Sequence, residues 1–166
     1  AAAHSYAYWN QHQFALEHDP SRIHGETNHF RYRKRPWHFV RWTQASEFDL
    51  ESAALICIAC LTLETRLEFS LPHANEMLEK FADEIVSELP IRSIESDAEF
   101  VHRIAGKKGG TLRVFGNYDP QDHAPEKIGN TPVVDSKVLL NGRVELLKYL
   151  KEQSVTEIVH RYGNIV

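Results

Sequence analysis

Sulfur is scarce in this chain, which has two cysteines and one methionine among 166 residues. Cys57 and Cys60 form a CxxC, but they sit in Leu55-Ile56-Cys57-Ile58-Ala59-Cys60-Leu61. Such apolar company suits two buried thiols on a helix better than redox chemistry, and no second cysteine pair is present to complete a metal site. Long apolar runs are missing as well. No stretch approaches the roughly 18 consecutive apolar residues that cross a bilayer, and the opening residues Tyr6, Tyr8, Trp9 and Gln11 are not a basic segment followed by a signal-type apolar core. A soluble cytoplasmic protein without a membrane partner is therefore expected. Nor is there an excess of positive charge: 19 Lys and Arg stand against 23 Asp and Glu, for a formal net charge of -4. No overall field would hold this chain on nucleic acid.

What is present suits one main folding unit. The length is about that of a single domain, and 42% hydrophobic residues supply a sizeable core. Composition then divides the chain. Residues 1–42 hold six histidines, all three tryptophans and the basic run Arg31-Tyr32-Arg33-Lys34-Arg35, with no sustained hydrophobic period. That pattern predicts an extended amino-terminal arm or connector. The expected division is an arm over 1–36, a compact domain over 37–151 and a carboxyl-terminal docking tail over 152–166. Ala1-Ala2-Ala3 followed by an abrupt aromatic beginning is also what a cut inside a longer polypeptide would leave.

From Trp37 onward strand and helix signals alternate. Trp37–Trp42 reads as a strand, and Asp49 can cap a helix over Leu50–Thr65. Arg66–Leu71 reads as a second strand. After Pro72, the spacing of Ala74, Met77, Leu78, Phe81, Ile85, Val86 and Leu89 predicts an amphipathic helix that Pro90 stops, before an extended Ile91–Ile94. Ser96 and Glu99 have the spacing of a capping box for a short helix containing Phe100, Val101 and Ile104. Gly106 and Gly109-Gly110 punctuate its end, and Thr111–Gly116 is a further strand signal. Residues 117–132 read as a loop, Thr131–Asp135 as a short strand, and Arg143–Leu150 as a helix packed through Val144, Leu147 and Leu150. In that helix Glu145, Lys148 and Glu152 have the spacing of charge pairs worth only about 0.2–0.5 kcal/mol each. Strands separated by helices predict a small three-layer α/β fold with a mostly parallel sheet.

Chemistry is harder to find. Gly106-x-x-Gly109-Gly110 is not a GxGxxG turn after the first strand, and no Walker-type loop occurs, so neither has the spacing that lines amides around phosphate. His12, His18, His24 and His29, with Glu17, Asp19 and Glu26, are metal-ligand types without an HExxH-like constraint. Phe30–Arg35 mixes cations and aromatics as a single-stranded nucleic-acid surface can. A connector that packs Tyr32 and pairs its arginines with carboxylates is the plainer reading, and no nucleic-acid partner is expected. Asp49, Glu51, Asp97 and Glu99 read as helix-end residues. Ser154, His160 and Asp135 are hydrolase letters without a nucleophile elbow.

Five runs carry a family resemblance: Glu17-His18-Asp19-Pro20-Ser21-Arg22; Gly25-Glu26-x-Asn28-x-Phe30-Arg31-Tyr32-Arg33; Leu139-Leu140-Asn141-Gly142-Arg143-Val144-Glu145-Leu146-Leu147; Glu152-Gln153-Ser154; and His160-Arg161-Tyr162-Gly163-Asn164. Together they resemble the carboxyl-terminal region of bacterial proline-utilisation proteins related to 1-pyrroline-5-carboxylate dehydrogenase, of the aldehyde dehydrogenase superfamily. The resemblance implies that the intact parent oxidises glutamate semialdehyde with NAD through a cysteine nucleophile, and bifunctional members also carry a flavin-dependent proline dehydrogenase. This chain is too short for that catalytic domain. Neither Cys57 nor Cys60 sits in a matching motif, so no catalytic residue, cofactor or metal is carried over to it. The implied role is a noncatalytic tail resembling a partial Rossmann fold, which supports the dehydrogenase region in cis or in trans or contributes to a homo-oligomer. The docking residues expected on this basis are Glu17, His18, Asp19, Arg31, Tyr32, Arg33, His160, Arg161 and Tyr162. An independent small α/β ligand-binding or protein-interaction domain is the alternative.

Overall fold

The computed structural model describes residues 1–24, 26–43, 46–77, 79–80, 91–117, 128–129 and 131–158, with 91 and 92 described by their backbone. Its first element answers the expectation of an extended arm with a helix. Ala2–Trp9 is α1, continued by a π-helical turn over Asn10–Phe14. Ala2, Tyr6 and Phe14 are buried in the main core, so tertiary packing organises a stretch whose own hydrophobic period is weak. The chain becomes extended only afterwards, in β1 (Glu17–His18) and β2 (Glu26–Lys34).

Next comes the predicted alternation. β3 (Trp37–Trp42) is followed by α2 (Leu50–Leu63), β4 (Arg66–Leu71), β5 (Ile91–Ile94), α3 (Asp97–Ile104), β6 (Thr111–Phe115) and β7 (Val133–Val134). Both expected caps form. Asp49 accepts a hydrogen bond from the Ser52 amide, and Ser96 and Glu99 close a full capping box. Most of the helix expected from Pro72 to Leu89 lies outside the described residues, as does most of the loop expected over 117–132.

The five strands from β3 to β7 form one parallel sheet in the order β5-β4-β3-β6-β7. The chain leaves the central strand in one direction, then returns to build outward on the other side. This is the strand order of a doubly wound half, with its switch point between the carboxyl ends of β3 and β6. Val40 and Trp42 of β3, with Leu67, Phe69 and Leu71 of β4, face α2. On the opposite face Phe39, Leu112 and Val114 meet Phe100 and Ile104 of α3, giving the expected three layers. Burying each such large apolar side chain contributes about 1.5–3 kcal/mol. The many apolar residues of α2 find cover on two sides, from the sheet and from α1.

The expected Arg143–Leu150 helix is corrected. Gly142–Glu145 is a single α turn (α4), Leu146–Tyr149 a 3-10 turn, and Leu150 already begins β8 (Leu150–Ile158). Leu150 is buried as expected, but the rest of the face is corrected: Val144 and Leu147 are 46% and 41% exposed, whereas Gly142, Glu145, Leu146 and Tyr149 are buried. Two contacts set this rotation. Gly142 lies against α1 so closely that an added Cβ would meet the Ser5 carbonyl oxygen at 2.6 Å, and its amide donates to Ser5 Oγ at 2.9 Å. Glu145 is drawn inward by Arg113, whose Nη2 donates to its Oε1 at 2.5 Å. Glu145 does pair with Lys148, at 2.8 Å, but Glu152 belongs to β8.

Candidate functional site

β1, β2 and β8 form a separate antiparallel sheet in the order β1-β2-β8. β2 and β8 pair along their whole length, from Glu26 opposite Ile158 to Lys34 opposite Leu150. The two end segments, more than a hundred residues apart in sequence, thus become neighbours. β8 also straddles the expected domain boundary at 151/152. Arg35 bolts this ribbon to the parallel sheet. Its amide donates to the Tyr149 carbonyl at 3.1 Å, its Nε to the Leu150 carbonyl at 3.1 Å and its Nη1 to the Gly110 carbonyl at 3.5 Å.

Five of the expected docking residues come together on the ribbon. Glu17 lies opposite Arg31, whose Nη1 reaches Glu17 Oε2 at 3.5 Å and whose Nε donates to Gln153 Oε1 at 2.8 Å. The other Glu17 oxygen holds His29 Nδ1. His18 turns back to the Gln13 carbonyl at 3.0 Å. Tyr32 packs inward, edge-on to Phe14 with ring centroids 4.9 Å apart, while Arg33 is exposed. Asp19 instead organises its own turn, accepting from the amides of Arg22 and Ser21 and from Ser21 Oγ. The Arg22 amide leads in holding its carboxyl below the ordinary range. His160, Arg161 and Tyr162 lie outside the described residues.

Among the described residues, the two thiols and the strand ends at the switch point are occupied by packing. Cys57 and Cys60 are free and buried in α2; burial pushes the Cys57 thiol up to about 12 and Cys60 further still. A thiol so held is not the thiolate that attacks substrates. At the switch point, where a doubly wound sheet receives a dinucleotide, the described residues do not form a phosphate-binding turn. The chain after β3 lacks a glycine-rich turn, Thr43 donates its amide to the Phe115 carbonyl at 3.0 Å, and Trp42 stacks on Phe115 at 4.9 Å. Gly116 adopts φ +100°, and a Cβ there would meet Ser46 Cβ at 2.8 Å. Among the described residues, these contacts bring the ends of β3 and β6 together, and a cleft lined by Trp42, Ser46, Phe48 and Leu71 lies beside them. Gly109 takes φ +80° in the turn before β6, the turn role expected of it.

Of the candidate metal ligands, Glu17 and His29 meet as a pair on the ribbon. His12 bonds the Tyr8 carbonyl at 2.8 Å and stacks on the Tyr8 ring, and among the described residues no three His, Cys, Asp or Glu are grouped to hold an ion. Ser154 lies in the ribbon and Asp135 beyond β7 of the parallel sheet, so they share no element.

Sequence reading missed the charged interior under α3. Arg41, 1% exposed, donates to Asp97 Oδ1 at 2.9 and 2.7 Å and to Ser70 Oγ at 2.8 Å. Ser70 Oγ donates to Glu95 Oε1 at 2.6 Å, and Arg103 spans Glu95 and Glu68. Lys107 closes on Glu68 at 2.5 Å. Glu68 is only 2% exposed, and each of its oxygens is taken by a cation. The network therefore reads as packing. Breaking it would strand a buried charge, whereas keeping it intact adds little net stability. Only the capping role of Asp97 and Glu99 was visible in the sequence.

No family model and no curated protein matches the sequence. Among solved structures, Proline Utilization A (PutA) from Corynebacterium freiburgense superposes with a TM-score of 0.60 at 24% identity. The likeness is one of fold. It covers 99% of this chain but 14% of that chain, so the protein spans about a seventh of PutA's length.

Proposed function

We propose that this chain is a noncatalytic structural or docking domain of an NAD-dependent 1-pyrroline-5-carboxylate dehydrogenase of proline catabolism, acting on an aldehyde dehydrogenase catalytic region in cis or in trans. The observation that carries the reading is the ribbon: β2 and β8, which hold motifs from both halves of the chain, pair there, and among the described residues β8 stands at the sheet's edge with most of its nine residues exposed. A long open edge is a template for another strand, and native proteins normally cover or blunt it. Val155 and Ile158, 39% and 64% exposed, add apolar surface to that edge strand. The fold likeness to PutA and the motifs at both ends point to the same partner.

The test mixes a separately purified dehydrogenase catalytic region with this chain and measures association and aldehyde oxidation. Binding is expected, and it should weaken when Val155→Asp and Ile158→Asp charge the edge strand. Absence of association, together with unchanged oxidation when the domain is removed from its parent, refutes the reading and favours an independent small domain.

A further inference from the structure

On the other side of the ribbon β1 and β2 part company. β1 pairs β2 only at Phe30 and Arg31, whereas β2 runs on to Lys34 with β8 beside it. Before β1 the chain turns away through Ala15 and Phe14 into the π-helical turn, leaving a cleft of about 490 Å³ between that turn and the end of β2. Its floor is apolar: Phe14, Leu63 and Leu150 are 5%, 0% and 6% exposed. Its wall is cationic, formed by Arg31, Arg33 and Lys34 against the single acid Glu17. This is a local reversal of sign in a chain of net charge -4. Arg31 is engaged by Glu17 and Gln153, and Lys34 by Glu64 at 3.1 Å. The Arg33 side chain has no hydrogen-bond or ion-pair partner among the described residues. Alternate residues of an antiparallel strand direct their backbone groups to each side, so beyond Arg31 the outer edge of β2 offers amides and carbonyls to the cleft.

We propose that this cleft binds an extended acidic-apolar segment of a partner protein, as a short strand added to β2. Three features each select one part of that ligand. The strand edge takes its backbone, the Phe14–Leu63–Leu150 floor takes an apolar side chain, and Arg33 takes a neighbouring carboxylate. A basic segment is repelled by the wall, and a wholly polar one leaves the floor uncovered. The site is separate from the β8 edge and does not depend on the docking role given above.

The test is fluorescence polarisation of the whole chain with a labelled acetyl-Thr-Leu-Val-Asp-Thr-amide peptide and its Asp→Lys counterpart. The acidic peptide is expected to bind about tenfold or more tightly than the basic one, the scale of one charge-assisted hydrogen bond. Arg33→Glu should abolish that preference without moving the thermal midpoint, since Arg33 is exposed, and raised salt should weaken binding. Equal affinity for the two peptides overturns the proposal, as does acidic-peptide binding that is indifferent to Arg33→Glu. Failure of the acidic peptide to bind at millimolar concentration does so too. Tighter, Arg33-dependent binding of a short polythymidine would replace it with a nucleic-acid surface.

Discussion

Acid should unfold this protein earlier than its surface histidines would suggest, because of His38. Its ring is enclosed within β3, 2% exposed, 4.8 Å from the Tyr149 ring, and neither nitrogen has a hydrogen-bond partner. Burial disfavours the imidazolium, and the guanidiniums of Arg35 and Arg113 add to it, while the Arg35 backbone works the other way. The net effect takes the group down from 6.5 to about 3. The folded protein thus holds His38 neutral where the unfolded chain takes up a proton. Stability from this residue is complete above about pH 6.5 and is lost as pH falls toward 3, at up to about 1.4 kcal/mol per pH unit. By pH 5 the loss is about 2 kcal/mol, a substantial part of the roughly 5–15 kcal/mol that holds a typical domain together. Urea unfolding followed by tryptophan fluorescence, at intervals from pH 7.5 to 5, measures it. Carboxylates held low, such as Glu95 through Arg103 and Ser70, also respond to acid, so the decisive quantity is the difference between wild type and His38→Gln. The variant is expected to start at lower stability but to lose about 2 kcal/mol less across that interval. Parallel pH dependences for the two proteins would refute the reasoning.

Three further outcomes follow from the packing. Gly142→Ala should cost about 1–3 kcal/mol in chemical denaturation, because the new methyl meets the α1 backbone at Ser5 and Tyr6, which cannot rotate away as a side chain would. Glu145→Gln leaves Arg113 buried without its counter-charge and should cost about 3–5 kcal/mol in the same assay, whereas Glu152→Gln on exposed β8 should change little. Cys57 and Cys60 should resist iodoacetamide at pH 8 in the native state and react once urea unfolds α2, as read by intact mass.

The ribbon shows how far a one-dimensional pattern reaches. Glu17, Arg31, Tyr32 and Arg33 stood out as a concentration of charged and aromatic letters, as did Glu152-Gln153-Ser154. Their pairing in register was not legible, because Leu150–Ile158 carries little of the alternation that marks a half-buried strand. The cleft beside Arg33 depends on where β1 parts from β2, a matter of three chain segments meeting. Glu145 was read as a surface charge partner since helix spacing alone cannot say which face turns inward. Arg113, thirty-two residues earlier, settles that.

Local chemistry by itself determined the strands from Trp37 to Phe115, the caps at Asp49 and Ser96, and the layered α/β class. Side-chain period, capping groups and proline act within a few residues of where they stand. Tertiary structure alone decided that the first residues coil into α1, that His38 and Glu145 are interior, that Trp42 stacks on Phe115 where β3 meets β6, and that Glu26–Lys34 and Leu150–Ile158 share one sheet. Burial and strand pairing between distant segments are properties of the assembled core, and no short window of sequence contains them.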